Sequence, residues 1–256
     1  MPSEQDNRKI LTACRDGDRQ ALESLLREFD IGPDHCQMWM NRSIPEEQQT
    51  PTVREMLAAA IQGQHIDMVK FLFSKFHNTS LGTLLGSAIK TGNVQFVESL
   101  CSIDPDSADA EDDYSTILVD AVTSGDEKMV GILLKAGADP NRPACRALPW
   151  NVAYYAVTGG KPASMFEVLF DHGYFIDHWT LREAVERERL EIVEVLLRRG
   201  EALHLQQATP VKELLSLAEE NKDWEMVDLI QRMHPDGQKR PGKGLVNRIS
   251  KLLHLK

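Results

Sequence analysis

Four side chains that could together perform acid–base chemistry lie in the middle and second half of this 256-residue chain. His172 and His178 precede Glu183, and Asp120 lies further upstream. A histidine oriented by a carboxylate is a common general acid–base pair in enzymes. These four residues are therefore the candidate acid–base groups if the chain is an enzyme.

The motifs that would support such chemistry are missing from the sequence. The eight histidines are dispersed, and no His-x-x-x-His pair encloses the glutamate of a zinc hydrolase. Gly159-Gly160-Lys161 lacks the flanking spacing of a phosphate-binding loop. The acidic stretch 104–113 lacks calcium-loop spacing and is predicted to be a solvated loop. The sequence predicts neither a metal site nor a cofactor.

Aromatic residues are concentrated near these groups, although they make up only 6% of the chain. Trp150 and Tyr154 are four residues apart, which predicts that they share one face of a helix. A ring beside carboxylates, such as Tyr155 near Glu183, can receive an Arg or Lys side chain. The same aromatic residues can instead fill the core where Ala153 replaces a leucine. Both interpretations remain open from the sequence.

Seven copies of one short pattern position these residues. In each copy an alanine follows an apolar residue three positions earlier, and a leucine-rich stretch comes after it. The spacings between successive alanines are 47, 28, 33, 35, 28 and 34 residues. A period near 33 built from two short amphipathic helices is typical of a solenoid, which presents a surface rather than a pocket. The anchors are Ala13, Ala60, Ala88, Ala121, Ala156, Ala184 and Ala218.

The most regular copy, 121–141, ends in Leu133-Leu134-Lys135-Ala136-Gly137-Ala138-Asp139. It resembles the ankyrin repeat, whose signature is Thr-Pro-Leu-His-x-Ala, a glycine, and a leucine pair before Gly-Ala-Asp. The resemblance extends from about Ile10 to about Met233, and it implies an all-α solenoid of about seven helical hairpins with short or degenerate fingers. It also implies protein binding as the function. The chain departs from the signature at the turn glycine, which is replaced by Gln64, Glu188 and Lys222.

The spacing of the copies divides the chain into four regions. Residues 1–30 form the N-terminal repeat, 31–51 an insertion, 52–233 the stacked repeats, and 234–256 a basic tail or capping helix. The insertion contains Trp39 between two methionines, an arrangement that suits an apolar anchor for a partner. The segment can equally fold back over the open end of the first repeat.

The positions one before and two after each alanine point away from the buried stripe of the first helix. The resemblance implies that these helices line the concave side of the stack. Neighbouring helices lie about 8–10 Å apart, so side chains at these positions are predicted to form a row. The candidate partner-binding residues are Asp120, Trp150, Tyr154, Tyr155, Glu183, Glu186 and Trp39.

Charge restricts the classes of partner. The formal net charge is −10, and residues 234–256 carry +5, which leaves −15 on the remainder. Such an acidic body repels nucleic acid and suits a cationic protein surface. The tail has the pattern of a basic amphipathic helix, which can make weak contact with an anionic membrane or cap the stack.

Neither a membrane span nor a secretion signal is evident in the sequence. No apolar run approaches the roughly 20 residues that a transmembrane helix needs. The polar stretch 1–9 does not have the apolar segment of a signal peptide. The sequence therefore predicts a cytoplasmic, possibly nuclear, protein.

Taken together, these patterns predict a protein-interaction module or scaffold. Its partner would be a cationic or amphipathic protein segment bound on the concave, acidic second half. The alternative is an enzyme with an aromatic-lined pocket in the fifth and sixth repeats, using aspartate, glutamate and histidine side chains. The interaction module is favoured because the repeats account for most of the chain.

Overall fold

The structure is a computed structural model that describes residues 3–33, 50–77, 79–111, 115–144, 149–201 and 211–233. Within these ranges the chain is helical, and its only extended pairing is an isolated bridge between Glu111 and Thr116. Trp39, most of the predicted insertion and the predicted tail 234–256 lie outside the described residues.

The chain divides into two compact units, Met1–Pro149 and Trp150–Lys256. The described part of the first unit contains four helix pairs and that of the second contains three, which confirms the predicted all-α fold of about seven helical hairpins. The first unit comprises α1 (Glu4–Asp16), α2 (Arg19–Glu28), α3 (Val53–Gln62), α4 (Ile66–Lys75), α5 (Leu84–Ile89), α6 (Val94–Ile103), α7 (Ile117–Ser124) and α8 (Glu127–Lys135). The second comprises α9 (Val152–Thr158), α10 (Ala163–Asp171), α11 (His178–Glu186), α12 (Leu190–Glu201), α13 (Val211–Glu220) and α14 (Trp224–Met233).

The helices of each unit pack in two layers. In the first unit, α1, α3, α5 and α7 pack in sequence against one another, and α4, α6 and α8 form the other layer. In the second unit, α9, α11 and α13 form one layer while α10, α12 and α14 form the other. We call the layer that contains the first helix of each pair the first layer.

The repeated alanines account for the close packing of the paired helices. All seven anchors are buried, with exposures of 0–6%. The predicted orientation is wrong at Ala59, which stands one position before an anchor alanine and was expected to face outward but is buried. In the second helices the leucine-rich ends are buried, as Leu100 and Leu133 show with no exposed surface.

The turn between paired helices keeps one geometry whether or not it contains glycine. Gly92 and Gly125 have φ of 70° and 84° there. Gln64, Glu188 and Lys222 occupy the same left-handed region with φ of 56°, 56° and 60°. The backbone pattern is also shared, since the N–H of Glu188 donates to Val185 and that of Gly92 donates to Ile89. The loss of the family's glycine therefore strains the backbone without changing the turn.

This strain predicts that Glu188→Gly stabilises the second unit. A side chain in the left-handed region costs about 1–2 kcal/mol, and the greater freedom of glycine in the unfolded chain offsets about 0.4–1 kcal/mol of the relief. We expect a net gain of about 0.5–1 kcal/mol, measured by urea denaturation. Glu191→Gly is the control, because Glu191 lies in the first turn of α12 and glycine there should lower stability. A loss at Glu188 as large as that at Glu191 would contradict the strain.

The acidic stretch 104–113 is structured where it is described, so its prediction as a solvated loop is wrong. Pro105–Asp109 forms a 3-10 helix in which Ser107 and Ala108 are 1% exposed. Asp104 Oδ2 accepts hydrogen bonds from the Leu81 N–H at 2.7 Å and from Ser80 Oγ at 2.9 Å. Asp104 binds a neighbouring segment of the first unit because its carboxylate meets the Leu81 N–H, which has no helical partner.

Candidate functional site

The predicted site residues of the second unit gather on the first-layer surface of α9 and α11. Asn151 caps α9, and its Oδ1 accepts hydrogen bonds from the N–H groups of Ala153 at 3.0 Å and Tyr154 at 3.4 Å. Because the cap stands at position 151, Trp150 precedes the helix instead of lying on it as expected. Its indole ring nevertheless reaches the side of α9 on which Tyr154 lies.

The aromatic rings form a continuous group. Those of Trp150 and Tyr154 stack with centroids 4.5 Å apart and planes inclined by 11°. The ring of Tyr155 meets Tyr154 edge-on, at 6.0 Å and 83°. Such ring pairs contribute about 0.5–1.5 kcal/mol each beyond the area they bury. All three side chains are half-buried, so each keeps some surface open to solvent.

Other aromatic residues of the fifth and sixth repeats fill the core. Phe166 and Tyr174 are buried at 0% and 1% exposure, whereas Ala153 takes the place of the usual leucine and is itself fully buried. The structure thus separates the two interpretations residue by residue. Phe166 and Tyr174 fill the interior, and the three half-buried rings belong to the surface.

Glu183 connects α11 to the aromatic group. Its Oε1 accepts a hydrogen bond from Arg187 Nε at 2.6 Å. Burial, followed by the negative charge of the Glu183 carboxylate, raises the pKa of the Tyr154 phenol. The hydrogen bond from Arg187 in turn raises the pKa of the guanidinium. Glu183 is therefore anchored in place and only 15% exposed at its side chain.

Glu186 belongs to a second charged group that extends to α13. Its Oε2 lies 3.2 Å from Arg182 Nη1, and Arg182 Nε lies 3.5 Å from Glu213 Oε1. The same carboxylate oxygen lies 3.7 Å from His178 Nε2. Glu183, Glu186 and Glu213 thus share two guanidinium groups, which leaves an excess of negative charge on this surface.

The candidate acid–base groups each have a different partner. His172 Nδ1 lies 2.9 Å from the Val168 carbonyl at the end of α10, so this nitrogen donates. His178 lies near Glu213 rather than Glu183. Asp120 lies in the first unit and accepts a hydrogen bond from Ser115 Oγ at 3.3 Å. None of these contacts pairs a histidine with Glu183 or Asp120.

Asp177, which accepts four hydrogen bonds, was not among the residues predicted from the sequence. It caps α11, with Oδ1 accepting from the Thr180 N–H at 2.9 Å. Its Oδ2 accepts hydrogen bonds from Thr180 Oγ1 at 2.6 Å, Tyr174 Oη at 3.0 Å and Asn151 Nδ2 at 3.0 Å. Burial and the negative charge of Asp177 raise the pKa of Tyr174 well above its usual value. Asp-x-x-Thr before a helix was the available signal, but it indicates only a cap.

Asp177 positions the site because it joins the caps of two helices. Asn151 begins α9 and Asp177 begins α11, so their hydrogen bond holds the two helix starts together. Tyr154 and Glu183 lie on these same helices. The buried network therefore sets the spacing between the helices that carry the Tyr154 phenol and the Glu183 carboxylate.

Two exposed aromatic side chains lie next to this network. Phe175 is 64% exposed in the segment before α11, and Trp179 is 45% exposed in its first turn. The Trp179 ring meets His178 edge-on at 5.5 Å. Exposed rings of this size rimmed by polar residues are typical of contact surfaces.

Two classes of site receive no support from the described residues. No three histidine, cysteine, aspartate or glutamate side chains among them are arranged to hold a metal ion. No helix within the described ranges is long and apolar enough to cross a membrane.

Pairs of helices that repeat along the chain and stack in two layers within each unit define a helical repeat protein. The family model for ankyrin repeats matches residues 56–144 in three copies. These copies cover the second, third and fourth helix pairs of the first unit. Residues 56–144 are therefore ankyrin repeats, which confirms the resemblance that the sequence suggested.

Two solved ankyrin domains are similar to this chain. One is the ankyrin repeat domain of Bcl-3, described as a unique member of the IkappaB protein family. It is 20% identical, the match covers 75% of this chain and 86% of that one, and the TM-score is 0.56. Another is the human ASB11 ankyrin repeat domain, at 18% identity, 75% and 83% coverage and a TM-score of 0.46. No curated protein matches the sequence significantly.

The ankyrin repeats also establish the broad class of function. Repeat arrays of this kind expose extended surfaces on which other proteins bind. The chain is a protein-interaction module at this level of description.

Proposed function

We propose that the second unit binds a cationic amphipathic segment of another protein on the first-layer surface of α9 and α11. The observation that carries this proposal is the placement of half-buried rings beside carboxylates. Tyr154 and Tyr155 lie on α9, and Glu183 and Glu186 lie on α11, which packs against it. This is the surface for which the sequence predicts an acidic, concave strip.

A lysine or arginine of the partner has two kinds of contact available here. Its charge is attracted to an aromatic face, which contributes about 0.5–1 kcal/mol at an exposed site. Its N–H groups can also donate to a carboxylate in a charge-assisted hydrogen bond. The exposed rings of Phe175 and Trp179 offer apolar surface to the apolar face of the same segment.

The ion pairs within this surface can be replaced by ion pairs with a partner at a small cost in free energy. Arg187 is 49% exposed and lies four residues from Glu183, and such exposed helical pairs contribute only about 0.3–0.5 kcal/mol. A partner guanidinium can therefore take over from Arg187 or share the carboxylate with it. Glu220, exposed at the end of α13, adds a further negative charge to the first layer.

The proposal predicts that Tyr155→Ala and Glu183→Gln each weaken the binding of a cationic peptide. The probe is a fluorescein-labelled peptide of about 14 residues made of leucine and lysine at helical spacing. We expect each variant to bind about tenfold more weakly than wild type by fluorescence anisotropy, because one central contact is lost. Glu183→Gln keeps the size and shape of the side chain, so its effect reports the charge rather than the packing.

Glu194→Gln is the matched control, since Glu194 is exposed on α12 in the other layer. It removes the same charge from the same unit and should leave the affinity unchanged. Added salt should weaken wild-type binding, because the contacts are between charges. Equal losses for Glu194→Gln and Glu183→Gln, or no loss at Tyr155, would show that the peptide binds elsewhere.

A further inference from the structure

The first unit has a groove of its own on the first-layer surface of α1, α3 and α5. Its volume is about 460 Å³. Leu11 from α1 and Leu84 from α5 contribute apolar walls, and Ala58 and Ala59 from α3 form the part between them. The small side chains of α3 keep the groove open between the two leucines.

The rim of the groove carries positive charge. Arg15 lines it, and Lys90 occupies the equivalent position two residues after the alanine of the third repeat. Arg15 Nε donates to Gln62 Oε1 at 3.1 Å, which shows that these positions neighbour one another on adjacent helices. Within the residues that the structure describes, neither Arg15 nor Lys90 forms an ion pair with a carboxylate.

Glu55 also lines the groove, but its carboxylate is hydrogen-bonded at the start of its own helix. Its Oε2 accepts hydrogen bonds from the Thr52 N–H at 2.7 Å and from Thr52 Oγ1 at 2.9 Å. This capping box holds Glu55 at the start of α3, whereas Arg15 and Gln62 lie at the opposite ends of their helices. The end of the groove near Arg15 is therefore positively charged.

We propose that this groove binds an acidic amphipathic segment of a partner protein. An apolar side chain of the segment packs between Leu11 and Leu84 over the alanines of α3, and its carboxylates meet Arg15 and Lys90. The groove thus prefers a negatively charged segment, whereas the surface of the second unit, where carboxylates dominate, prefers a positively charged one. The two surfaces therefore select segments of opposite charge, and this inference does not depend on the proposed function.

The dimensions of the groove suit a short segment. Three neighbouring helices at about 8–10 Å spacing extend over about 20 Å. A helical segment of about 14 residues covers that length at 1.5 Å per residue. One face of such a segment supplies apolar side chains at positions three and four residues apart, with carboxylates beside them.

Anisotropy with two labelled peptides of about 14 residues, one of leucine and glutamate and one of leucine and lysine, tests the inference. We expect the acidic peptide to bind wild type, and the double variant Arg15→Glu/Lys90→Glu to bind it about tenfold more weakly. Ser87→Trp should weaken it to a similar degree, because Ser87 is exposed and lines the groove.

Lys70→Glu/Lys135→Glu is the matched control. Both lysines are exposed on second helices of the same unit, so the net charge changes equally away from the groove. This variant should bind the acidic peptide as wild type does. No binding of the acidic peptide to wild type, equal losses in the two double variants, or full affinity in Ser87→Trp would overturn the inference.

The same assay distinguishes binding at the groove of the first unit from binding at the surface of the second unit. Glu183→Gln lies in the second unit and should not alter the affinity for the acidic peptide. Loss of the lysine peptide's binding in that variant, with the acidic peptide unaffected, supports two independent sites. A loss of acidic-peptide binding in Glu183→Gln would contradict a groove confined to the first unit.

Discussion

Replacing Gly63 by alanine is expected to lower the free energy of unfolding of the first unit by about 3 kcal/mol. Gly63 ends α3, and a Cβ there would lie 1.9 Å from the carbonyl oxygen of Arg15 at the end of α1. Because that oxygen belongs to the backbone, relief requires the first helix pair to move away from the second. Urea denaturation followed by far-ultraviolet circular dichroism measures the loss.

Two other glycines of the first unit separate the steric clash at Gly63 from the other effects of replacing glycine by alanine. Gly131 lies inside α8, and a methyl group there would meet no neighbouring segment within 4 Å, so Gly131→Ala should stabilise by about 0.5–1 kcal/mol. Gly92 is equally open but has φ of 70°, so Gly92→Ala should cost about 1 kcal/mol from backbone strain alone. A Gly63→Ala loss no larger than that of Gly92→Ala would mean that the repeats separate without appreciable cost.

Asp177→Ala is expected to destabilise the second unit by about 3 kcal/mol. The helix cap contributes about 1 kcal/mol of this. The remainder arises because Tyr174 and Thr180, buried at 1% and 0% exposure, lose the acceptor for their hydroxyl groups. A buried donor without a partner costs about 1–3 kcal/mol. Chemical denaturation of the full chain, fitted for the second unit, measures the effect.

Asp223→Ala is the control for the cap alone. Asp223 precedes α14 in the same unit, and its Oδ1 accepts a hydrogen bond from the Met226 N–H at 3.0 Å. We expect this variant to lose only about 1 kcal/mol. Similar losses for Asp177→Ala and Asp223→Ala would show that the buried hydroxyls find other partners.

The network around Asp177 also links stability to binding. Its hydrogen bond with Asn151 holds the starts of α9 and α11 together, and those helices carry Tyr154 and Glu183. The surface proposed to bind a partner thus depends on a residue that lies beneath it in the buried network. Surfaces on repeat arrays keep their shape in this way because each repeat is positioned only by its neighbours.

Several features of the site were within reach of the sequence. Glu183 and Arg187 are four residues apart, so their ion pair follows from helical geometry alone. The same spacing relates Arg182 and Glu186. The proximity of Trp150 to Tyr154 was also predicted, although the helix begins after Trp150 because Asn151 provides the cap. These contacts are local, and local periodicity is what a sequence displays most directly.

Other features needed the packed structure. Asn151 and Asp177 are separated by 26 residues, and Arg15 and Gln62 by 47. Whether two such residues meet depends on how far apart adjacent helices lie and how they are rotated. The turns also needed the structure. Gln64 and Glu188 replace the glycine of the family's signature, yet the turn keeps its left-handed geometry.

The sequence by itself determined that this chain folds into pairs of short helices, because buried alanines and leucines recur at the helical period in every copy. It also determined the ankyrin-like character and the uneven charge. Only the tertiary structure decided which aromatics fill the core, which carboxylates are already paired, and where a groove opens over Ala58 and Ala59. The reason is physical: periodicity fixes the buried side of each helix, whereas the surface arises from the distances between helices.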